Sequence, residues 1–503
     1  MKKRFLLFIS LLTLSSCSLS LEDFFPSIEF PFLSSSSTTS FTASKEFGDN
    51  YYQPDKLKYT LQDINSQVNW VTSESVGNQK MLIVPVQLSS GTSWTTTMLN
   101  TIDDVFFGES SDTTFESVQS YFLKSSYNTL NIGGAVTDVF KSKYTKSDIV
   151  NATKNKITCS DLIAEEFYNS SNASLLKEYD VNKDGFVDNC VFIYSNNYAS
   201  GSSSKAEQNS FWAWCTYYDY QSNSTKPSIN NYMWASYNFI NDGYSFYNNN
   251  KPDAHTFIHE TGHMLGLDDY YDYDSNSTIS PAGCLDMMDY NIGDHNAYSK
   301  YLLGWIEPTY VTKDVTLTID SFESSGDSII VPASLLNDKS PLDEYLIIEY
   351  YTPTGLNESD SKNKYLGSYP LLFTKNGVKI YHVDSRIGEL EYTYDVSYGD
   401  YVYNYSYDDL VSKTDYNTYF GIFASNTSSY SYKSSYKLLN LLSSNKGSIN
   451  NYYYSNTSAS NKDLYDVNDE ITSFKFNNGS TLAFDITIDD ISSEGATISF
   501  RRK

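Results

Sequence analysis

Basic residues are in short supply. The chain of 503 residues carries 35 Lys and Arg against 61 Asp and Glu, a net charge of −26. It offers no basic face for phosphate, which excludes nucleic-acid binding and electrostatic adhesion to anionic membranes. Proline is scarce, with 12 residues, so a proline-rich stalk is out. Neither a glycine period nor sustained heptads occur, which removes collagen-like and coiled-coil classes. The five cysteines are too few for a disulfide scaffold, and their spacings match no paired CxxC zinc site. Beyond the N-terminus no apolar run approaches the length that spans a bilayer. What the chain has instead is aromatic side chains, 46 Tyr and 28 Phe, within a hydrophobic fraction of 40%. That is enough for sizeable cores and incompatible with wholesale disorder.

The N-terminus carries an address. Lys2, Lys3 and Arg4 precede an apolar run from Phe5 to Leu14, the layout of a secretory signal. Leu14-Ser15-Ser16-Cys17 follows and resembles the lipobox of bacterial lipoproteins, in which the cysteine thiol is acylated before cleavage. The expectation is a lipoprotein signal peptide over 1–17 and an extracellular protein held to the membrane only by lipid on Cys17. Residues 18–76, with a run from Ser34 to Ser40 of Ser and Thr alone, read as a flexible tether. Cys159, Cys190, Cys215 and Cys284 remain, and the sequence leaves both disulfide bridges and free thiols open.

Two ordered regions follow. From 77 to 307 the pattern mixes strands and helices, an α/β or α+β domain. Met81-Leu82-Ile83-Val84-Pro85-Val86 is a strand whose proline points to an edge or a bulge, Asn189 to Tyr194 is a short buried strand, and Thr256 to Leu267 is a helix. From 308 to 503 the character is β-rich, with alternating segments at Val311–Ile319, Tyr345–Tyr350, Val378–Val383 and Leu482–Phe500. This reads as an all-β, sandwich-like module with polar loops between 385 and 465. Tyr401, Tyr403, Tyr405 and Tyr407 alternate with other residues, which sets one aromatic row on one face of a strand. Such a row either stacks on carbohydrate or covers its own sheet.

The chemistry concentrates in HTFIHETGHMLGLDDYYD, His255 to Asp272. His259-Glu260-Thr261-Gly262-His263 is an HExxH motif. Positions i and i+4 share a helical face, so both imidazoles can reach one metal with Glu260 beside them. Gly266 and Asp269 extend the motif to HExxHxxGxxD, the metzincin-type pattern with Asp in place of the third His. Glycine lets the helix end and the chain reverse. Two imidazoles and one carboxylate leave an open coordination position, as a catalytic zinc requires. Asp268 and Asp272 compete with Asp269 for the third place, and spacing favours Asp269. His255 reads as a supporting or packing residue. Downstream, Asp286-Met287-Met288-Asp289-Tyr290 has the look of a Met-turn, for which we choose Met288 over Met287. Tyr290 is then a candidate for donating its phenol to an oxyanion. His295 reads as a loop histidine.

A second constellation is DVNKDGFVD, Asp180 to Asp188. Asp180, Asn182, Asp184 and Asp188 occupy positions 1, 3, 5 and 9 of an EF-hand-like calcium loop, with Gly185 at position 6. Position 12 is Val191 where a bidentate Glu belongs. The loop reads either as a calcium site or as an acidic turn feeding a strand.

These pieces together resemble the secreted immune inhibitor A-type metallopeptidases. The matching stretches are MLIVPVQL, VQSYFLKSSYNTLNIGG, DVNKDGFVDNCVFIY, HETGHMLGLDD and DMMDYNIGDHNAYSKYLLGW, followed by DEYLIIEY and GVKIYHVD. The resemblance implies a metzincin-like α+β fold and endopeptidase activity, with His259, His263 and Asp269 binding Zn2+ and Glu260 as general base. The segment before Met81 is short for an inhibitory propeptide. Polypeptide substrates and a monomer are expected. The alternative is a surface adhesin or glycan-binding protein whose zinc-peptidase-like domain is non-catalytic.

Overall fold

The computed structural model describes residues 61–66, 72–154, 159–199, 203–217, 221–242, 250–274, 280–334, 340–367, 369–395, 400–405, 418–428, 431, 434–444, 458–493 and 495–503. The signal segment, Cys17, the Ser34–Ser40 run and Tyr407 lie outside them. The architecture is mixed α and β with several sheets, consistent with an α+β class. No helix among the described residues is long and apolar enough to cross a membrane. Two compact units divide the chain, one drawn from residues 68–268 and one from 269–503 with the helix Leu61–Ser66.

The first unit is organised on a six-stranded sheet of β1 (Gly77–Gln87), β2 (Leu130–Val136), β3 (Phe140–Lys141), β4 (Cys190–Tyr194), β5 (Trp214–Tyr217) and β6 (Asn231–Ser236). Their order is β2-β1-β4-β6-β5, with β3 also on β1. β1, β2, β4 and β6 run parallel, and β5 is the antiparallel edge. MLIVPV and CVFIY are unbroken apolar runs because a parallel strand inside a sheet is covered on both faces, and every residue of both is buried. Pro85 corrects the expectation of an edge or bulge, since β1 is interior. The neighbouring strand is interrupted beside it: β2 pairs with β1 as far as Ile83, and β3 takes over at Val86. No partner there needs the N–H that proline lacks. Leu82, Val84, Phe192 and Trp234 pack with Ile149, Ile163 and Phe167 of the helices Lys146–Lys154 and Cys159–Ser170. The helix His255–Met264 packs on β5, β6 and the helix Val118–Ser125, with Phe257 against Phe106 at 5.1 Å between ring centroids.

In this unit Asp242 gives a measurable pH signature. Burial and the neighbouring Asp253 charge push its carboxyl from 3.8 up to about 7, against a hydrogen bond from Tyr198 that lowers it. The folded protein therefore holds a proton that the unfolded chain releases. The stability tied to that proton is complete below the unfolded value and is lost as pH rises through about 7. Asp242→Asn is expected to flatten this slope and to exceed wild type by about 1–2 kcal/mol at pH 8. Urea midpoints across pH 4–8 check it, and parallel profiles for the two proteins would contradict it.

In the second unit, β7 (Thr309–Tyr310), β9 (Ser328–Pro332), β10 (Glu344–Tyr351), β11 (Gly377–Asp384) and β15 (Leu439–Leu442) form a sheet in the order β15-β11-β10-β9-β7. β8 (Val315–Ile319), β16 (Glu470–Ile471), β17 (Phe484–Ile491) and β18 (Ala496–Arg502) form a second, β16-β17-β18-β8. β12 (Ile387–Asp395), β13 (Asp400–Tyr405) and β14 (Thr418–Ile422) form a third, β13-β12-β14. Ile329, Val331, Ile348 and Ile380 of the first share a core with Ile486, Ile488, Ile498 and Phe500 of the second, a sandwich arrangement. β17 and β8 bury alternate residues because one face meets water. β10 and β11 are buried at every position, because the 280–300 segment lies over them. Glu349, for instance, accepts from the Ala297 N–H at 2.9 Å.

Two expectations need correcting here. Residues 385–465 are not simply polar loops, since they carry β12, β13, β14 and β15. β13 is the strand that the tyrosine alternation announces, while β14 and β15 are too short to show a period. Nor is the region beyond 308 purely β, because short helices occur at Phe322–Ser325 and Glu358–Lys362. On β12 and β13, Tyr392 pairs in register with Tyr403 and Tyr394 with Tyr401, while what these side chains face lies outside the described residues. Cys190, Cys215 and Cys284 are buried free thiols, so no bridge joins these three.

Candidate metal site

The helix His255–Met264 buries nearly its whole circumference although Phe257, Ile258 and Met264 are its only large apolar residues. Phe257 through Met264 are all buried. Asp253 accepts from the His255 N–H at 2.9 Å at its start. At its end the Gly266 N–H bonds to the His263 carbonyl at 2.9 Å, and the Leu267 N–H reaches back to the Gly262 carbonyl at 3.0 Å. This is the Schellman pattern, and it requires the left-handed backbone that Gly266 adopts at φ +100°. The Met264 carbonyl is tied down by the Ser73 N–H at 2.9 Å and Asn231 Nδ2 at 3.1 Å.

One turn apart on this helix, the His259 and His263 rings stand nearly perpendicular with centroids 4.9 Å apart. After the glycine reversal comes Asp269. His259, His263 and Asp269 are all buried, and each presents a ligand atom within 4.8 Å of the others. The tautomer of His263 follows from its partner. Nδ1 lies 2.8 Å from the Leu267 carbonyl, an acceptor only, so Nδ1 carries the proton and Nε2 keeps the lone pair a metal needs. Glu260, the residue after His259, is also buried, at 3% exposure.

Neither competing carboxylate, Asp268 or Asp272, joins the cluster, and Asp272 is engaged elsewhere. Asp272 accepts from the Asp274 N–H at 3.0 Å, from Ser428 Oγ at 3.1 Å and from Lys437 Nζ at 3.4 Å. The Asp269 carboxylate receives the Tyr273 hydroxyl on Oδ2. His255 stands 6.4 Å from His259 between ring centroids and is not part of the cluster.

The Asp286–Tyr290 turn is held by its two carboxylates. Asp286 accepts from the Met288 N–H at 2.7 Å and from the N–H and Nδ2 of Asn296 at 2.7 and 2.6 Å. Asp289 accepts from the Cys284 N–H at 2.7 Å. Met287 and Met288 are both fully buried, and the Met288 carbonyl accepts from the Tyr270 N–H at 2.7 Å, next to Asp269 in the chain. Tyr290 is half-buried and packs on Tyr271 at 4.7 Å between centroids. Burial and then the Asp289, Cys284 and Asp269 charges push its phenol well above the ordinary value, so it is a neutral hydrogen-bond donor. His295 lies in a loop ahead of the helix Ala297–Leu302, as its sequence context suggests, but the loop is buried: His295 is 1% exposed and lies 3.6 Å from Asp286. The buried Asp286 carboxylate offsets the cost of burying an imidazole.

The Asp180–Asp188 loop folds around its own backbone. Asp180 Oδ2 accepts from the Gly185 N–H at 3.2 Å, with Gly185 at φ +90°, and Asp188 Oδ2 accepts from the Val181 N–H at 2.9 Å. Burial, with Asp184, Asp180 and Glu74 nearby, raises the Asp188 carboxyl to about 7, against the Val181 hydrogen bond. Glu74 is the residue that sequence reasoning missed. Its Oε1 lies 3.5 Å from Asn182 Nδ2, and with Asn182, Asp184 and Asp188 it lines one small cavity.

Fold and donor set together define a mixed α/β protein with a buried His-His-Asp cluster able to hold a metal ion. Neither a comparison with protein-family models nor one with curated proteins finds a match to this chain.

Proposed function

We propose that the protein is an extracellular, lipid-anchored zinc endopeptidase of metzincin-like, immune inhibitor A type. The observation that carries this reading is the buried His259–His263–Asp269 cluster with Glu260 between its two histidines on the helix. Two imidazoles and a carboxylate suit Zn2+ and leave a coordination position open. When bound, zinc supplies Lewis acidity that polarises a scissile carbonyl and brings the pKa of water towards neutrality. Glu260 takes the proton as water attacks, then delivers it to the departing amine. Tyr290 donates its phenol to the developing oxyanion. The β5 edge of the sheet suits a substrate laid on as an added antiparallel strand. The test is cleavage of an unstructured polypeptide by the purified protein, lost on zinc chelation and regained on adding zinc. Cleavage indifferent to chelation would sink the reading.

We also propose that Asp180, Asn182, Asp184 and Asp188 hold Ca2+, with Glu74 standing in for the carboxylate missing at Val191. Oxygen donors only, with Glu74, Asn182, Asp184 and Asp188 around one small cavity, suit a hard cation. Calcium at about 100 times its Kd is expected to stabilise by about 2.7 kcal/mol, a Tm rise of roughly 5–10 °C. In Glu74→Gln the midpoint of that rise should move to about tenfold higher calcium, roughly the 1.4 kcal/mol of one weakened ligand. A Tm indifferent to calcium would contradict the site.

A further inference from the structure

The stretch that follows Asp269 is gripped by a loop far away in the sequence. Asn426 Nδ2 donates to the Tyr270 carbonyl at 2.6 Å, and Asn426 Oδ1 accepts from the Leu439 N–H of β15 at 3.0 Å, which fixes the amide between two backbones. Thr427 Oγ1 accepts from the Tyr273 N–H at 3.1 Å. Lys437 Nζ binds the Asn426 carbonyl at 2.8 Å and Ser428 Oγ at 2.6 Å and reaches Asp272 at 3.4 Å. Asn426 and Thr427 are almost completely buried. Tyr273, with its backbone held this way, sets its ring edge-on to Tyr271 at 5.2 Å and donates its hydroxyl to Asp269 Oδ2.

A carboxylate on a post-helical loop has two side-chain torsions and two oxygens to offer, so its aim must come from neighbours. With Oδ2 engaged by Tyr273, the ligand oxygen is Oδ1. We propose that Tyr273 is a positioning residue for the third metal ligand, and that the 426–428 loop and Lys437 of the β-rich region set Tyr273. This rests on the zinc-site reading above. Groups that orient ligands through the outer shell typically govern metal affinity by 10–100-fold.

The test compares the full chain with Tyr273→Phe, which keeps the ring and removes the hydroxyl. Zinc affinity by chelator competition should fall about 10- to 100-fold. The visible spectrum of the cobalt(II)-substituted protein should shift, while the Tm of the metal-free protein stays put. Thr427→Val should weaken zinc binding in the same direction, and Thr427→Ser, which restores the acceptor, should recover it. Wild-type zinc affinity and an unshifted cobalt spectrum in Tyr273→Phe overturn the proposal while leaving the zinc site intact. A wild-type chain that takes up no zinc overturns the zinc-site reading, and this proposal with it.

Discussion

Glu260→Gln is expected to lower kcat on the order of 10³-fold while the protein still carries one zinc per chain. General base catalysis contributes about 10²–10⁴-fold, and the amide cannot take up the proton that the carboxylate accepts. The substitution is nearly isosteric at a site 3% exposed, so the helix should stay packed. His259, His263 and Asp269 are untouched, hence the retained metal. Metal content by elemental analysis and kcat on one fluorogenic peptide check both halves. A rate within a few-fold of wild type would remove Glu260 from the chemistry.

Asp286→Ala is expected to cost about 3–5 kcal/mol, because it leaves the Met288 N–H and the N–H and Nδ2 of Asn296 buried without an acceptor, at about 1–3 kcal/mol each. Burial alone would push the Asp286 carboxyl up, but bonds from His295, Met288 and Asn296 hold it below its ordinary value. Its stabilisation is therefore present above pH 3.8 and lost as pH falls through the lower folded value. Removing it strips acceptors from the Met288 and Asn296 N–H groups and leaves His295 buried without its carboxylate. The Tm should drop by about 10 °C or more. Asp286→Asn, which keeps an acceptor but no charge, should lose less. A thermal melt of Asp286→Ala within a degree or two of wild type would show that the turn does not depend on this clamp.

The part of the site that was legible in sequence is the part built from local geometry. Helical period puts His259 and His263 on one face, and Gly266 announces the reversal that delivers Asp269. What stayed hidden is long-range. Asn426 meets Tyr270 across 156 residues, and Glu74 meets Asn182 across 108, with no periodic signal at either end. Tyr273 sits in an aperiodic acidic-aromatic stretch in which nothing marks one tyrosine from the next. His295 follows Gly-Asp, a surface-loop signature, and only the opposing carboxylate of Asp286 explains its burial. The fold divides the same way. The apolar runs of β1, β4 and β10 were readable as strands, whereas Pro85 misled because the break between β2 and β3 that accommodates it is a property of the neighbour. β13 announces itself through its alternating tyrosines, whereas β14 and β15, at five and four residues, are too short to show a period.

The most direct measurement is casein cleavage by the purified protein beside Glu260→Ala, with zinc content read on both. Cleavage by wild type alone, with about one zinc per chain in each, is the predicted result. Equal cleavage by both proteins, or no zinc in either, would contradict the account.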